Sequence, residues 1–368
     1  MFEYKIGIEF EYALTDLNGN ILDFTNLDSK ELIPLINESR AGQTDSKLSS
    51  GDLGIKDGFW YLEGDERFND QGEFTDLKIK GIEIRTPICE SINEVVDTLV
   101  TLEKELSNYL RLAGLNLAII GFNPKTNKYI FEPKLNEWEL KMRQKYKEYD
   151  YAEISNLTYG PDINISSPDW NEEINLDIAE KLNYYSPYIV PFSFSAPFYN
   201  GKLWEGYSKR TYERTGNRPA VKAYTSNRTG HALSWKANSK SEVGRIEYKA
   251  FDAILSKDLL NALCSLVLGI ALADLPGRSK LASKQLHEKA AKYAFTDAEI
   301  KKQSTILVKE AYKALKQNEL RSEAKNIKLL QQMLELNIVG SDKLKEKYNQ
   351  DGTLVKKGGL VKDNFILF

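Results

Sequence analysis

Two cysteines and two histidines supply all the thiol and imidazole in 368 residues. Cys89, Cys264, His231 and His287 are too few for a disulfide scaffold, a Cys/His zinc site or a multi-histidine metal centre. A Ser-His or Cys-His nucleophile would have to draw on one of those two histidines, which leaves little room for such hydrolysis. A surplus of charge is also missing: 50 Lys and Arg stand against 53 Asp and Glu, a formal net charge of -3. No bulk positive field is there to hold a phosphate backbone or an anionic bilayer, so neither nucleic acid nor membrane is an expected partner. The longest apolar run, Leu259 to Leu275, is broken by Asn261, Ser265, Gly269 and Asp274 and is too short to span hydrocarbon. The opening Met1-Phe2-Glu3-Tyr4-Lys5 lacks the apolar stretch of a secretory signal, and a cytoplasmic, reduced protein is the expectation. Chemistry must therefore come from carboxylates, Arg, Lys, Asn and backbone.

No repeat and no Pro/Gly/Ser-rich linker divides the chain. The pattern predicts an α+β core over residues 1–275 and a helical extension over 276–368, packed on it as one domain. Short alternating segments near 4–12, 78–87, 117–122, 161–167, 189–195 and 243–252 predict strands. Ser91-Ile92-Asn93-Glu94 reads as a capping box opening a helix, and Thr296-Asp297-Ala298-Glu299 reads the same way. Residues 40–75, rich in Gly, Asp and Ser, read as a long loop or flap. Thr353 to Phe368 alternates around Gly358-Gly359 and reads as a terminal hairpin. His287, in a helix rich in Lys and Glu, reads as exposed, His231 as structural, and Cys89 as a small buried hydrophobe.

Splitting the strands by parity is more informative, because successive side chains point to opposite faces. Lys5, Gly7, Glu9 and Glu11 lie opposite Tyr4, Ile6, Ile8, Phe10 and Tyr12. Ile79, Gly81, Glu83 and Arg85 lie opposite Ile82, Ile84 and Thr86; Asp162, Asn164 and Ser166 oppose Ile163 and Ile165; Arg245, Glu247 and Lys249 oppose Ile246, Tyr248 and Ala250. Each strand has an apolar face for packing under helices and a polar face carrying at least one acid. A solvated sheet face would also read this way. Yet Glu9 and Glu11 are same-face neighbours about 7 Å apart and repel unless a cation or solvent offsets them. A concave face gathering carboxylates around hard divalent cations needs no histidine. Beside it Arg85, Arg245 and Lys249 would hold anionic oxygens. Such a cavity suits phosphoryl transfer, where positioning and charge neutralisation dominate. Gly201 to Ser208 has P-loop glycine spacing, but Tyr207 stands where the phosphate-binding Lys is required.

Four segments resemble the glutamate-cysteine ligase family 2, carboxylate-amine ligases of the glutamine synthetase superfamily. Gly7-Ile8-Glu9-Phe10-Glu11-Tyr12 is similar to the family's opening Gly-x-Glu-x-Glu strand. Asp76 with Gly81-Ile82-Glu83-Ile84-Arg85-Thr86-Pro87 resembles its acid, spacer and Glu-x-x-Thr-Pro. Ser195-Ala196-Pro197-Phe198 with Gly201, Gly206 and Ser208-Lys209-Arg210 resembles its Ser-Pro-Phe-x-Gly segment ending in Ser-x-Arg. Arg245-Ile246-Glu247-Tyr248-Lys249-Ala250-Phe251-Asp252 resembles its Glu-x-Arg-x-x-Asp strand. Where the family carries His-x-His this chain has Asp162-Ile163-Asn164, where it carries His-Pro there is Asn123-Pro124, and its late Arg is Lys249.

The resemblance implies a curved, mainly antiparallel sheet forming a funnel, with helices packed on the convex face. It implies ATP and Mg²⁺ (or Mn²⁺) as cofactors and small molecules, an amino acid and an amine, as partners. The reaction it implies phosphorylates a carboxylate, typically the γ-carboxylate of glutamate, and lets an amine such as cysteine displace phosphate to give an amide. Glu9, Glu11, Asp76, Glu83, Glu247 and Asn164 are the metal-ligand candidates it implies. Arg210, Arg85 and Lys249 are the catalytic candidates, and Arg210, Lys249 and Arg245 the candidates for holding the nucleotide. A kinase acting on a guanidino group, and a degenerate relative that only binds nucleotide or a partner, are the competing readings. A homodimer is the assembly left open.

Overall fold

The strands of the computed structural model, in chain order, are β1 (Lys5–Asp16), β2 (Ile21–Leu22), β3 (Trp60–Phe68), β4 (Phe74–Arg85), β5 (Leu115–Ile119), β6 (Pro161–Ser166), β7 (Phe198–Tyr199), β8 (Lys202–Leu203), β9 (Val221–Thr225), β10 (Ser234–Lys236), β11 (Ile246–Tyr248) and β12 (Lys356–Lys357). Residues 2–40, 43, 58–145, 152–227, 229–276 and 283–360 are described. The helices are α1 (Ser29–Ser39), α2 (Ile92–Leu112), α3 (Glu137–Lys145), α4 (Ala152–Ser155), α5 (Glu172–Ile189), α6 (Lys209–Glu213), α7 (Lys257–Leu272), α8 (Lys284–Tyr293), α9 (Ala298–Gln317), α10 (Arg321–Asn326), α11 (Lys328–Leu336) and α12 (Gly340–Asp351).

β1 organises the main sheet because its length lets two halves pair differently. Glu9–Tyr12 pair with β4 on one side and Lys5–Phe10 with β6 on the other, while Ala13–Asp16 turn to β5. The order β10-β9-β11-β6-β1-β4-β3 follows, and only the edge pair β10/β9 is parallel. Register shifts between β3 and β4 at Glu63/Gly64 and Arg67/Phe68 mark bulges, which bend and twist a sheet. The sheet is curved and mainly antiparallel, with the helices on its convex face.

That convex face is the apolar parity set. Ile6, Ile8, Phe10, Ile82, Ile84, Ile163, Ile165 and Ile246 are all buried in the main hydrophobic core. Each such side chain stabilises the fold by roughly 1.5–3 kcal/mol on leaving water. α2 packs on β1, β4 and β5, α5 on β9 and β11, and α7 against α2, α5 and α9. α7 is the apolar run read from the sequence, and every residue from Leu259 to Ala271 is buried. Among the described residues no helix is long and apolar enough to cross a membrane. One core joins Ile6 to Leu344, so residues on both sides of position 275 share it.

Several local expectations are corrected. The segment 40–75 is not wholly loop: it holds β3, which pairs with β4. A Gly/Asp/Ser-rich stretch hid it, and residues 41–42 and 44–57 lie outside the described residues. No strand covers 189–195; α5 runs to Ile189 and a 3₁₀ turn, Val190–Ser193, follows. Ser91 does cap α2, accepting from the Glu94 N–H at 3.2 Å. At α9 the cap is Asp297 rather than Thr296, its carboxylate accepting from the N–H groups of Glu299 and Ile300. The chain end forms no hairpin among the described residues: Lys356 and Lys357 pair with β5 instead, and residues 361–368 lie outside them.

His287 is fully buried, not exposed, on the inner side of α8. Its Nδ1 sits 2.9 Å from the Ser283 carbonyl and so carries the proton, while Nε2 accepts from the Ser186 hydroxyl at 3.0 Å. Burial pushes its pKa down to about 4. Because the folded value lies below the unfolded one, this neutral imidazole favours the folded state above about pH 6.5 and loses that contribution as pH falls. The expected loss is about 2 kcal/mol between pH 6.5 and 5, at about 1.36 kcal/mol per unit. In urea unfolding at several pH values, His287→Gln should flatten the wild-type slope over that window by about one proton.

Candidate active site

The opposite, concave face collects the polar parity set in rows set by register. Glu11 pairs with Glu83 and Glu83 with Tyr61; Glu9 pairs with Arg85 on one side and Asp162 on the other. In the next row Gly7 meets Asn164, Asn164 meets Glu247, and Glu247 meets Lys222. Cross-strand partners share a face, so these pairs alone bring acids from β1, β4, β6 and β11 together.

Two acidic groups result. In the first, ligand oxygens of Glu11, Glu63 and Glu83 all lie within 4.8 Å of one another. Lys80 Nζ reaches Glu11 Oε1 at 2.6 Å, the Gly160 N–H donates to Glu11 Oε2 at 2.9 Å, and the Tyr61 hydroxyl donates to Glu83 Oε1 at 2.6 Å. Burial alone would push the Glu11 carboxyl up, but Lys80, Arg214 and Arg210 outweigh it and hold it below the usual range. In the second group, Lys249 Nζ bridges Asp162 Oδ2 at 2.8 Å and Glu247 Oε1 at 2.5 Å. Glu247 is held well below the usual carboxylate range, burial being outweighed by Lys222, Lys249 and Arg245, whereas burial and Glu247 push Asp162 up. Glu9 lies between the groups, raised to about 7 by burial and by the charges of Glu247 and Asp162. Asn164 joins them, donating to Glu9 Oε1 at 3.2 Å and accepting from Arg245 Nη1 at 2.8 Å.

The structure thus brings together Glu9, Glu11, Glu83, Glu247, Asn164, Arg85, Arg245 and Lys249. Arg85 donates from Nε to the Gly58 carbonyl at 2.7 Å, and its Nη2 is buried with no hydrogen bond among the described residues. Asp76 is not brought in. Seven residues along β4 from Glu83 is about 20 Å of strand, and its carboxylate accepts from Ser29 at 2.5 Å and pairs with Lys78 at 2.8 Å. Arg210 is buried close by, but its Nη1 and Nη2 donate to the carbonyls of Ala250 at 2.7 Å and Lys249 at 3.1 Å. His231 is tied to Glu180 at 2.8 Å, and Cys89 is buried, both in line with structural roles. Asn123 is structural too, donating to Asp23 at 2.6 Å and accepting from the N–H groups of Lys125 and Thr126.

Sequence reading missed Glu63, Lys80 and Arg214, the last through its charge on Glu11. The signal for Glu63 was present in Trp60-Tyr61-Leu62-Glu63, whose alternation matches that of β4, but the surrounding composition masked it. Lys80 was unreadable, since it is the extra residue at the bulge where Glu63 faces Gly81 and Gly64 faces Ile79.

The sequence pattern of the family described as Glutamate-cysteine ligase family 2 (GCS2) matches residues 6–230, more than half of the chain. The chain belongs to the glutamate-cysteine ligase family 2. Two curated relatives provisionally carry that activity in their names: glutamate-cysteine ligase 2-1 of Rubrobacter xylanophilus, 24% identical over 148 residues, and glutamate-cysteine ligase 2 of Roseiflexus castenholzii, 22% identical over 216 residues. The alignments cover 39% and 52% of this chain and only 38% and 54% of those relatives. A bifunctional glutathione synthetase from Pasteurella multocida superposes with a TM-score of 0.59 at 12% identity, over 96% of this chain and 51% of that one. A glutamate-cysteine ligase from Francisella tularensis, solved with AMP, superposes at 0.54 and 13% identity, over 96% of this chain and 86% of that one. At such identities the superpositions show a shared fold.

Proposed function

We propose that this protein is an ATP- and divalent-cation-dependent ligase that joins a carboxylate, glutamate or a close analogue, to an amine such as cysteine. The observation that carries the reading is the meeting of Glu11, Glu63 and Glu83, from three adjacent strands, within 4.8 Å on the concave face of a family fold. Three carboxylates so close repel, and their all-oxygen donor set fits a hard cation such as Mg²⁺ or Mn²⁺. Glu9, Glu247 and Asn164 are the residues for a second ion. Held by these residues, such ions would offset the charge developing on the transferred group.

In the reaction, the terminal phosphoryl group of ATP passes to a carboxylate oxygen and ADP leaves. The amine nitrogen then attacks the acyl carbon, phosphate departs with the bonding pair, and the nitrogen gives its proton to solvent. The residues on the concave face bind and orient. Arg85, Arg245 and Lys249 supply fixed positive charge at its floor, and Arg210 anchors the backbone that carries Lys249. No side-chain nucleophile is required, which suits a chain with two buried cysteines and one fully buried histidine.

The test is ADP release on mixing the protein with ATP, Mg²⁺, glutamate and a panel of amines, with mass analysis of the product. An amide with one ADP per bond is expected. ADP with a stable phosphorylated product would mark a kinase instead. One observation favours a non-catalytic binder: Lys249 already pairs with both acids of the second group, and Arg245 with Glu9. Tight ATP binding without ADP release would establish that reading.

A further inference from the structure

Arg214 lies close enough to Glu11, and Arg218 to Asp162 and Glu247, to feel their charge, yet among the described residues neither guanidinium forms an ion pair with them. Arg210, the arginine the motif singles out, is committed to backbone: its terminal nitrogens serve the Ala250 and Lys249 carbonyls, and a Cβ on Gly160 would stand 2.9 Å from Nη2. One turn on, Arg214 follows with its N–H donating to the Arg210 carbonyl at 2.8 Å; among the described residues its Nε, like that of Arg210, is buried without a hydrogen bond, but no carbonyl takes its terminal nitrogens. Arg218 lies just past the 3₁₀ turn Thr215–Asn217. Two residues later the Ala220 carbonyl takes the Lys249 N–H at 2.9 Å, which puts Arg218 at the Lys249 end of the site.

Among the described residues no carboxylate lies within ion-pair distance of Arg214 or Arg218. The acids that attract them are engaged elsewhere, Glu11 with Lys80 and both Asp162 and Glu247 with Lys249. Three guanidiniums along one segment repel one another, and in keeping with this Arg210 is lowered to about 10 and Arg218 to about 9, by burial first and by neighbouring arginines second. Such a cluster is electrostatically unfavourable by itself and favourable around a planar or tetrahedral oxyanion, which a guanidinium fork can grip through two N–H groups.

We infer that Arg214 and Arg218, rather than Arg210, grip an oxyanion of the substrate opposite the acidic groups, a phosphoryl or a carboxylate. The inference rests on the ligase reading only for the choice of ligands to test. Calorimetry of the full chain with Mg²⁺ and the β,γ-imido analogue of ATP forms one arm, and L-glutamate the other. In R214Q/R218Q the affinity for one ligand is expected to fall at least tenfold, the arm that falls identifying the source of the oxyanion. The thermal midpoint should stay level or rise, because mutual repulsion is relieved, whereas a cation with a merely structural role would lower it. Should the double variant fail to fold, R218K keeps the charge and removes the fork, and a loss of at least threefold in one arm is expected. Wild-type affinity within threefold in both arms for a folded variant overturns the inference, as does a wild type that binds neither ligand. Because no turnover is measured, a chain that releases no ADP with any amine yet loses affinity in R214Q/R218Q sinks the ligase reading and upholds this one.

Discussion

Glu83→Gln should fold as the wild type does and release ADP at no more than about a hundredth of its rate, a loss of a few kcal/mol of transition-state stabilisation at about 1.36 kcal/mol per tenfold. Folding survives because the glutamine carbonyl can accept the same 2.6 Å bond from the Tyr61 hydroxyl and fills nearly the same buried volume. What disappears is one negative charge from three that crowd within 4.8 Å. Relief of that repulsion should leave the thermal midpoint level or slightly raised. Loss of activity without loss of stability, together with weaker Mn²⁺ binding in a direct titration, is the combined signature. Turnover above a tenth of wild type would remove Glu83 from the site. Asp76→Asn is the control: its carboxylate serves Ser29 and Lys78 well along β4, and activity should stay within about twofold.

The sheet and its chemistry were legible to different depths. Parity in β1, β4, β6 and β11 sorted acids from aliphatics because a strand has a side-chain period of two, and the pairing then carried Glu9, Glu11, Glu83, Asn164 and Glu247 onto one face. β3 escaped because its alternation is embedded in residues typical of loops, and with it went Glu63. Asp76 came from the family motif and not from the parity of β4, and it lies about 20 Å along the strand from Glu83, where its carboxylate serves Ser29 and Lys78. Arg210 shows a further limit. Its residue type is right for an anion, yet which of Arg210, Arg214 and Arg218 is free depends on backbone carbonyls in a distant part of the chain. His287 was misread because the charged residues around it cover the outer side of α8 and it occupies the inner one.

Gly81→Ala should cost about 3 kcal/mol or more of stability, while Gly7→Ala should cost under about 1 kcal/mol, although both glycines sit in the same Gly-Ile-Glu triplet. A Cβ on Gly81 would fall 2.1 Å from the Tyr12 carbonyl oxygen, a rigid backbone atom of the paired strand. Neither strand can yield without parting the ladder in which Tyr12 faces Ile82 and Glu11 faces Glu83. A Cβ on Gly7 would meet only the Asn164 Cβ and the Thr86 hydroxyl at 4.0 Å, which is ordinary contact. Urea unfolding of the two variants measures the difference directly. Activity should follow the same split, since moving β4 away from β1 separates Glu11 from Glu83 and dismantles the three-carboxylate group. Equal stabilities would mean that the β1/β4 pairing is looser than its register implies. The acids could not then be held within 4.8 Å by strand pairing, and their convergence would need another cause.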